Sequence, residues 1–159
     1  MPKEHQQTTD PIARVLLGFQ IHFGLTVSEA MRLLPGIHVQ EHNLWITREI
    51  TFNSMDRVIP MRNETQKNIR EEFNHLTQVN QSLIDSLGYE VVCFKLRHAF
   101  HILKLPVLKS WRYLYAQQLY HQLSPSLSHN KLSLLIMNEM GLTSRSTLWR
   151  YLRNLPLKF

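Results

Sequence analysis

Cysteine is nearly absent: Cys93 stands alone in 159 residues. One thiol cannot build an intrachain disulfide framework, and such sparing use suits a reducing compartment, so a cytoplasmic setting is expected. Glycine is scarce as well, with five residues scattered at turns. A glycine-rich loop of the kind that cradles phosphates is therefore excluded. No apolar run approaches the roughly 18 residues needed to span a bilayer, so no membrane partner is expected. The opening MPKEHQQTTD is polar and does not read as a secretory signal. Acidic residues are outnumbered, 12 Asp and Glu against 18 Lys and Arg, for a formal charge of +6. That surplus points to a polyanion such as nucleic acid, or to an anionic surface.

What is present is enough for a globular domain. Hydrophobic residues make up 43% and charged residues 19% of the chain, which fits a protein that buries a core without metal or disulfide help. The nine histidines invite a metal reading, but their spacing argues against one. His38 and His42 flank a turn, His98 and His101 lie three apart on a helix, and Cys93 has no companion. No metal and no cofactor are expected, and nothing suggests a Ser-His-Asp hydrolase.

Along the chain, residues 1–9 read as a flexible tail and 10–159 as a single domain. Asp10-Pro11 reads as an N-cap with proline at the first helical position. Ile12, Val15, Leu16, Phe19 and Phe23 then mark one buried helical face, which Gly24 stops. Thr26 and Glu29 form a capping box for a short helix through Leu34. The stretch IHVQEHNLWITREITFNSMDRVIPMR is rich in β-branched and aromatic residues, and predicts an antiparallel sheet of about three strands within 36–62. Asn63 and Gln66 form a second capping box, opening one long helix whose inner face carries Ile69, Phe73, Leu76, Leu83 and Leu87 before Gly88. Helices follow over 90–104, 107–122, 131–140 and 145–153. The expected class is α+β, mainly helical with a small antiparallel sheet.

Four strings, in order, resemble the catalytic domain of the tyrosine recombinases, with the nearest likeness to prophage-type integrases of bacteria. DPIARVLLGFQIHFGLTVSEAMRLLP is similar to the family's opening, where FGLR.EEA is usual. DRVIPMRNETQ is similar to the end of its hairpin, RYLYAQQLY to its RHAYAQ..Y box, and NEMGLTSRSTLWRYL to ELGH....T..YL. The likeness runs from about Asp10 to Leu152. It implies a tyrosine-recombinase-like fold and a partner of double-stranded DNA, with another recombinase chain or self-association as further partners.

The family's reaction, as the resemblance implies it, cleaves a phosphodiester with a tyrosine and leaves a 3′-phosphotyrosyl link. Cations must clamp the phosphate as charge builds, and an acid must protonate the leaving oxygen. By position, the nucleophile is matched by Tyr151, the second arginine by Arg112, and the residue three before it by Lys109. The remaining places depart. Thr26 stands where the first arginine would be, Phe52 where the hairpin lysine would be, and Tyr113 and Leu142 where the two late polar groups would be. A second string, FKLRHAF, offers Arg97 and His98 as a rival pair for the arginine box. Arg112 could serve phosphate or pair with an acidic residue such as Glu29. Tyr151 could equally be an aromatic packing beside Leu148 and Leu152.

Removing one preorganised charge stabiliser raises a barrier by about 2.7–4 kcal/mol, so the departures predict loss of cleavage before loss of fold. The expectation is a DNA-binding, recombinase-like protein without strand cleavage, an accessory or regulatory factor of a mobile element, or its remnant. Lys104, Lys109, Arg112, Arg145 and Arg150 are the expected DNA contacts. Two alternatives stand beside it: an active recombinase using Tyr151 with missing groups supplied elsewhere, Arg57, Arg97 and His98 among them, and a helical protein-interaction module.

Overall fold

The computed structural model describes residues 9–106 and 110–153. The tail expected over 1–9 thus lies, but for Thr9, outside the described residues, as does Lys109. Among the described residues, nine helices accompany one two-stranded antiparallel sheet, a mainly helical α+β arrangement.

Helix α1 spans Pro11–Phe23, and its start follows from Asp10, whose carboxylate accepts the Ile12 and Ala13 N–H groups. The periodicity predicts one buried face. Instead every residue of α1 but Pro11 and Arg14 is buried, because this helix is the axis of the molecule and others pack around it. Gly24 ends α1 in the left-handed region, at φ +68°, which only glycine adopts cheaply.

Helix α2, Val27–Arg32, carries the expected capping box of Thr26 and Glu29. It stops short of Leu34 because Pro35 holds Leu34 in extended backbone and starts a separate turn, α3, at Pro35–His38. That turn removes one of the expected strands. The sheet has two strands, β1 (Asn43–Ile46) and β2 (Arg57–Pro60), paired so that Leu44 faces Ile59 and Ile46 faces Arg57. Of a third strand only an isolated bridge, Val39 to Leu44, is present among the described residues. The β-branched run at Thr47–Thr51 curls into turns instead, with the Ile50 and Thr51 N–H groups both donating to the Thr47 carbonyl. Local propensity yields here to context.

The long helix expected from Asn63 is two helices, α4 (Glu64–Leu76) and α5 (Leu83–Leu87). Thr77 breaks it, its hydroxyl donating to the Phe73 carbonyl at 2.8 Å. Ser82 and Asp85 then form a fresh capping box for α5. Helices α6 (Tyr89–Ile102), α7 (Arg112–Leu123), α8 (His129–Met140) and α9 (Arg145–Leu152) complete the chain. Around α1 stand α2, α4, α6 and α7, while α9 packs on α7 and α8. Phe19 of α1 meets Phe23 at 5.5 Å and Phe73 of α4 edge-on at 5.2 Å, the aromatic centre of the core.

Candidate functional site

The site grows from the inward face of the short sheet. Alternation along β2 sends Arg57 and Ile59 to the buried side and Val58 and Pro60 to solvent. Arg57 is 6% exposed and meets Glu29, which is fully buried at the start of α2. Two guanidinium nitrogens donate to the two carboxylate oxygens at 2.6 and 2.7 Å, a fork-on-fork pair. Arg57 Nε donates to the Glu139 carbonyl at 2.9 Å, and Glu29 also accepts the Thr26 and Phe52 N–H groups. Burial pushes the Glu29 carboxyl up, but the Arg57 hydrogen bonds and charge, with Thr26 and Arg112, outweigh it and hold the pKa below the usual value.

Arg112 opens α7 and lies beside this pair, 5% exposed. Its Nε donates to the Gly24 carbonyl at 2.7 Å and its Nη2 to the Met140 carbonyl. Those carbonyls sit at the C-terminal ends of α1 and α8, where helix dipoles place negative potential, so a buried cation is accommodated without a bonded carboxylate. Burial pushes the Arg112 guanidinium below its usual pKa, Arg57 adds to the effect, and Tyr151 and Glu29 oppose it. Tyr151, from the last turn of α9, stands next to that guanidinium and interacts with it. Glu29 belongs to Arg57 by hydrogen bonding; toward Arg112 it contributes only its charge.

Phe52 covers the two cations. Its ring centroid is 4.9 Å from the Arg112 guanidinium carbon and 5.7 Å from that of Arg57, within cation–π range of both. Behind the ring lies Gly141, at φ +71°, where an added Cβ would approach Arg57, Asn53 and Phe52 at 3.2–3.3 Å. Asn53 donates to the Gly141 carbonyl at 2.8 Å, fastening the loop that carries Phe52 to the end of α8. A cleft of about 220 Å³ opens alongside, lined by Met55, Arg57, Asn138, Leu142 and others.

A second buried network adjoins the first. Arg62 clasps Glu139 at 2.6 and 2.8 Å, and the Tyr115 hydroxyl donates to the same carboxylate at 3.0 Å. Burial, then the Glu139 charge, pushes the Tyr115 hydroxyl far up, so it stays protonated. Arg62 loses charge stability to burial, but its contacts with Glu139 and Tyr115 reverse the sign and raise its pKa.

Of the residues singled out in the sequence, the fold brings Phe52, Arg112 and Tyr151 together, with Leu142 at the neighbouring cleft. Thr26 is the N-cap of α2. Tyr113 is half-buried against Trp111. Arg97 and His98 sit apart from this cluster on the exposed side of α6, where His98 stacks on Phe94. Lys104, Arg145 and Arg150 are exposed, at the end of α6 and on α9. Arg112, by contrast, offers almost no surface, being buried with its Nε and Nη2 donating to carbonyls inside the protein. The inward direction of Arg57 was readable from RVIP, since period two ties it to that of Ile59, but its pairing with Glu29 was not. Glu139 and Arg62 carried no such signal. No group of three or more His, Cys, Asp or Glu among the described residues could hold a metal ion, and no helix there is long and apolar enough to cross a membrane.

No protein-family model matches the chain. No curated protein matches it either.

Proposed function

We propose that the protein binds double-stranded DNA through surface arginines and lysines and does not cleave it, a recombinase-like accessory or regulatory factor of a mobile element or its remnant. One observation carries the loss of cleavage: Arg112 beside Tyr151, and its neighbour Arg57, are already engaged and capped. Arg57 is neutralised by Glu29, Arg112 Nε and Nη2 donate to the Gly24 and Met140 carbonyls, and Phe52 lies over both guanidinium groups. A phosphate entering this site would have to displace the Phe52 ring and compete with fixed carbonyls. Catalysis by charge stabilisation requires donors aimed at the developing charge instead. The DNA-binding half of the reading rests on the +6 charge, on the exposed Lys104, Arg145 and Arg150, and on the ordered resemblance of four strings to the recombinase catalytic domain.

The test pairs a gel shift across salt concentrations with a suicide DNA substrate. Duplex affinity should fall steeply with salt, as counterion release requires. Tyr151→Phe should leave that affinity within about threefold, or roughly 0.65 kcal/mol. A denaturation-resistant adduct formed by the wild type and not by the Phe variant would establish the active-recombinase alternative. Salt-independent or absent binding would favour the interaction module, for which α6 is the specific observation. Val91, Phe94 and Ile102 are 45%, 67% and 59% exposed and fall on one side of that helix at spacings of three and eight.

A further inference from the structure

On the far side of α9 from Tyr151 lies an aromatic stack unconnected with the buried arginines. Trp149 is half exposed. His129, the first residue of α8, stacks on it with ring centroids 5.1 Å apart and planes 27° from parallel. Tyr120 of α7 fixes that imidazole in turn, through a hydroxyl contact to Nδ1 at 3.2 Å and an edge-on ring contact at 6.1 Å. Three helices thus each contribute one ring to a short stair, and Trp149 is its outermost step. Beside the indole an open concavity is lined by Ser146, Trp149, Arg150 and Arg153. Residues 146, 149, 150 and 153 are neighbours on a helix by their spacings of three and four. Arg150 and Arg153 are exposed, and neither pairs with a carboxylate among the described residues.

We infer that this face takes single-stranded nucleic acid, with one unpaired base stacked on the open side of Trp149 and the flanking phosphates against Arg150 and Arg153. Such a site combines a flat aromatic with cations in the same groove, and Trp149 lines one concavity with Arg150 and Arg153. The exposed His129 ring stacks behind the indole and favours one orientation of it, which reduces the freedom lost when a base lands. Arg150, whose Nη2 meets only the Thr147 hydroxyl at 3.3 Å, and Arg153 have no carboxylate partner among the described residues and so favour a polyanion. A paired base offers no open face, so duplex DNA would meet only the arginines. The inference stands independently of duplex binding.

The experiment measures anisotropy of a labelled oligothymidylate with the full chain, its Trp149→Ala and Trp149→Phe variants, and the double variant Arg150→Gln/Arg153→Gln. A labelled duplex is titrated in parallel. Trp149→Ala should weaken oligothymidylate at least fivefold, as loss of one stacked base does, and leave the duplex unchanged. Trp149→Phe, which keeps a ring and the fold, should recover most of the loss. The double arginine variant should flatten the salt dependence for oligothymidylate. Equal oligothymidylate binding by wild type and both Trp149 variants would overturn the inference. So would equal loss on oligothymidylate and duplex, or competition by base-free polyphosphate as effective as by unlabelled oligothymidylate. Failure of duplex binding alone, with Trp149-dependent oligothymidylate binding intact, would sink the duplex reading and leave this one standing.

Discussion

Glu29 shows how one side chain can serve two purposes and hide both from a sequence reading. As the third residue of α2 it closes the capping box with Thr26, which the spacing announces. Its second partner, Arg57, lies in a different element, and nothing local marks it. The part of the site built from long-range ion pairs was therefore mostly illegible. The part built from caps was legible, and Arg112 and Tyr151, singled out in the sequence, do lie side by side. Because Glu29 is buried, removing its charge should hurt more than removing the pair. Glu29→Gln leaves the Arg57 cation unmatched, and chemical denaturation should show a loss of roughly 3–5 kcal/mol. Glu29→Met with Arg57→Met should lose clearly less. The Glu29 pKa is held below its unfolded value of about 4.3. Its contribution is fully present above that pH and is lost as pH falls through the lower folded value, so the acid arm of the wild-type stability curve should flatten in Glu29→Gln.

Among the elements, the short turn α3 has the most consequences for its length. It replaces an expected strand because Pro35 admits a helical turn, and His38 at its end locks the result. The Leu34 N–H donates to His38 Nδ1 at 2.9 Å, so the imidazole proton sits on Nε2, which faces the Thr47 hydroxyl at 2.9 Å. Protonating Nδ1 would turn that acceptor into a donor aimed at a donor. Burial lowers the His38 pKa, with Glu49 opposing it in part. A depressed folded value means stability is whole above the unfolded pKa near 6.5 and declines as pH falls. Urea midpoints measured from pH 7.5 to 5 should drop, and His38→Gln should remove that drop. Gly24 is the other decisive point, because a Cβ there would lie 2.6 Å from the Tyr115 ring at a positive φ. Gly24→Ala should destabilise by more than about 1 kcal/mol, read from the same denaturation curves. Helix caps and stops of this kind were readable along most of the chain. The break at Thr77 was not, because Leu76 and Leu83 are spaced as one helix would space them, and the Thr77–Phe73 contact that splits them uses a residue tolerated in helix interiors.

For the whole molecule, the mixed class and the helical majority follow from periodicity and punctuation, which is why they could be read in advance. That α1 is the axis was missed, although Ala13, Leu17 and Ile21 lie off the stripe that the periodicity picked out and mark a helix buried all round. Such an axis carries a burden during synthesis. Helix α1 leaves the ribosome before the helices that pack on it, and one of those walls, α7, ends only at Leu123. At about 5–20 residues per second, a nascent chain carries this largely apolar helix without that wall for roughly 5–20 s. That interval is long enough for a holding chaperone to matter. Ribosome-bound chains stalled before α7 should cross-link through α1 to such a chaperone, and chains stalled well after Leu152 has cleared the exit tunnel should not. Polar substitutions on α1 at positions facing α7 would then shorten the bound interval while weakening the finished fold, a trade that confines α1 to the composition it has.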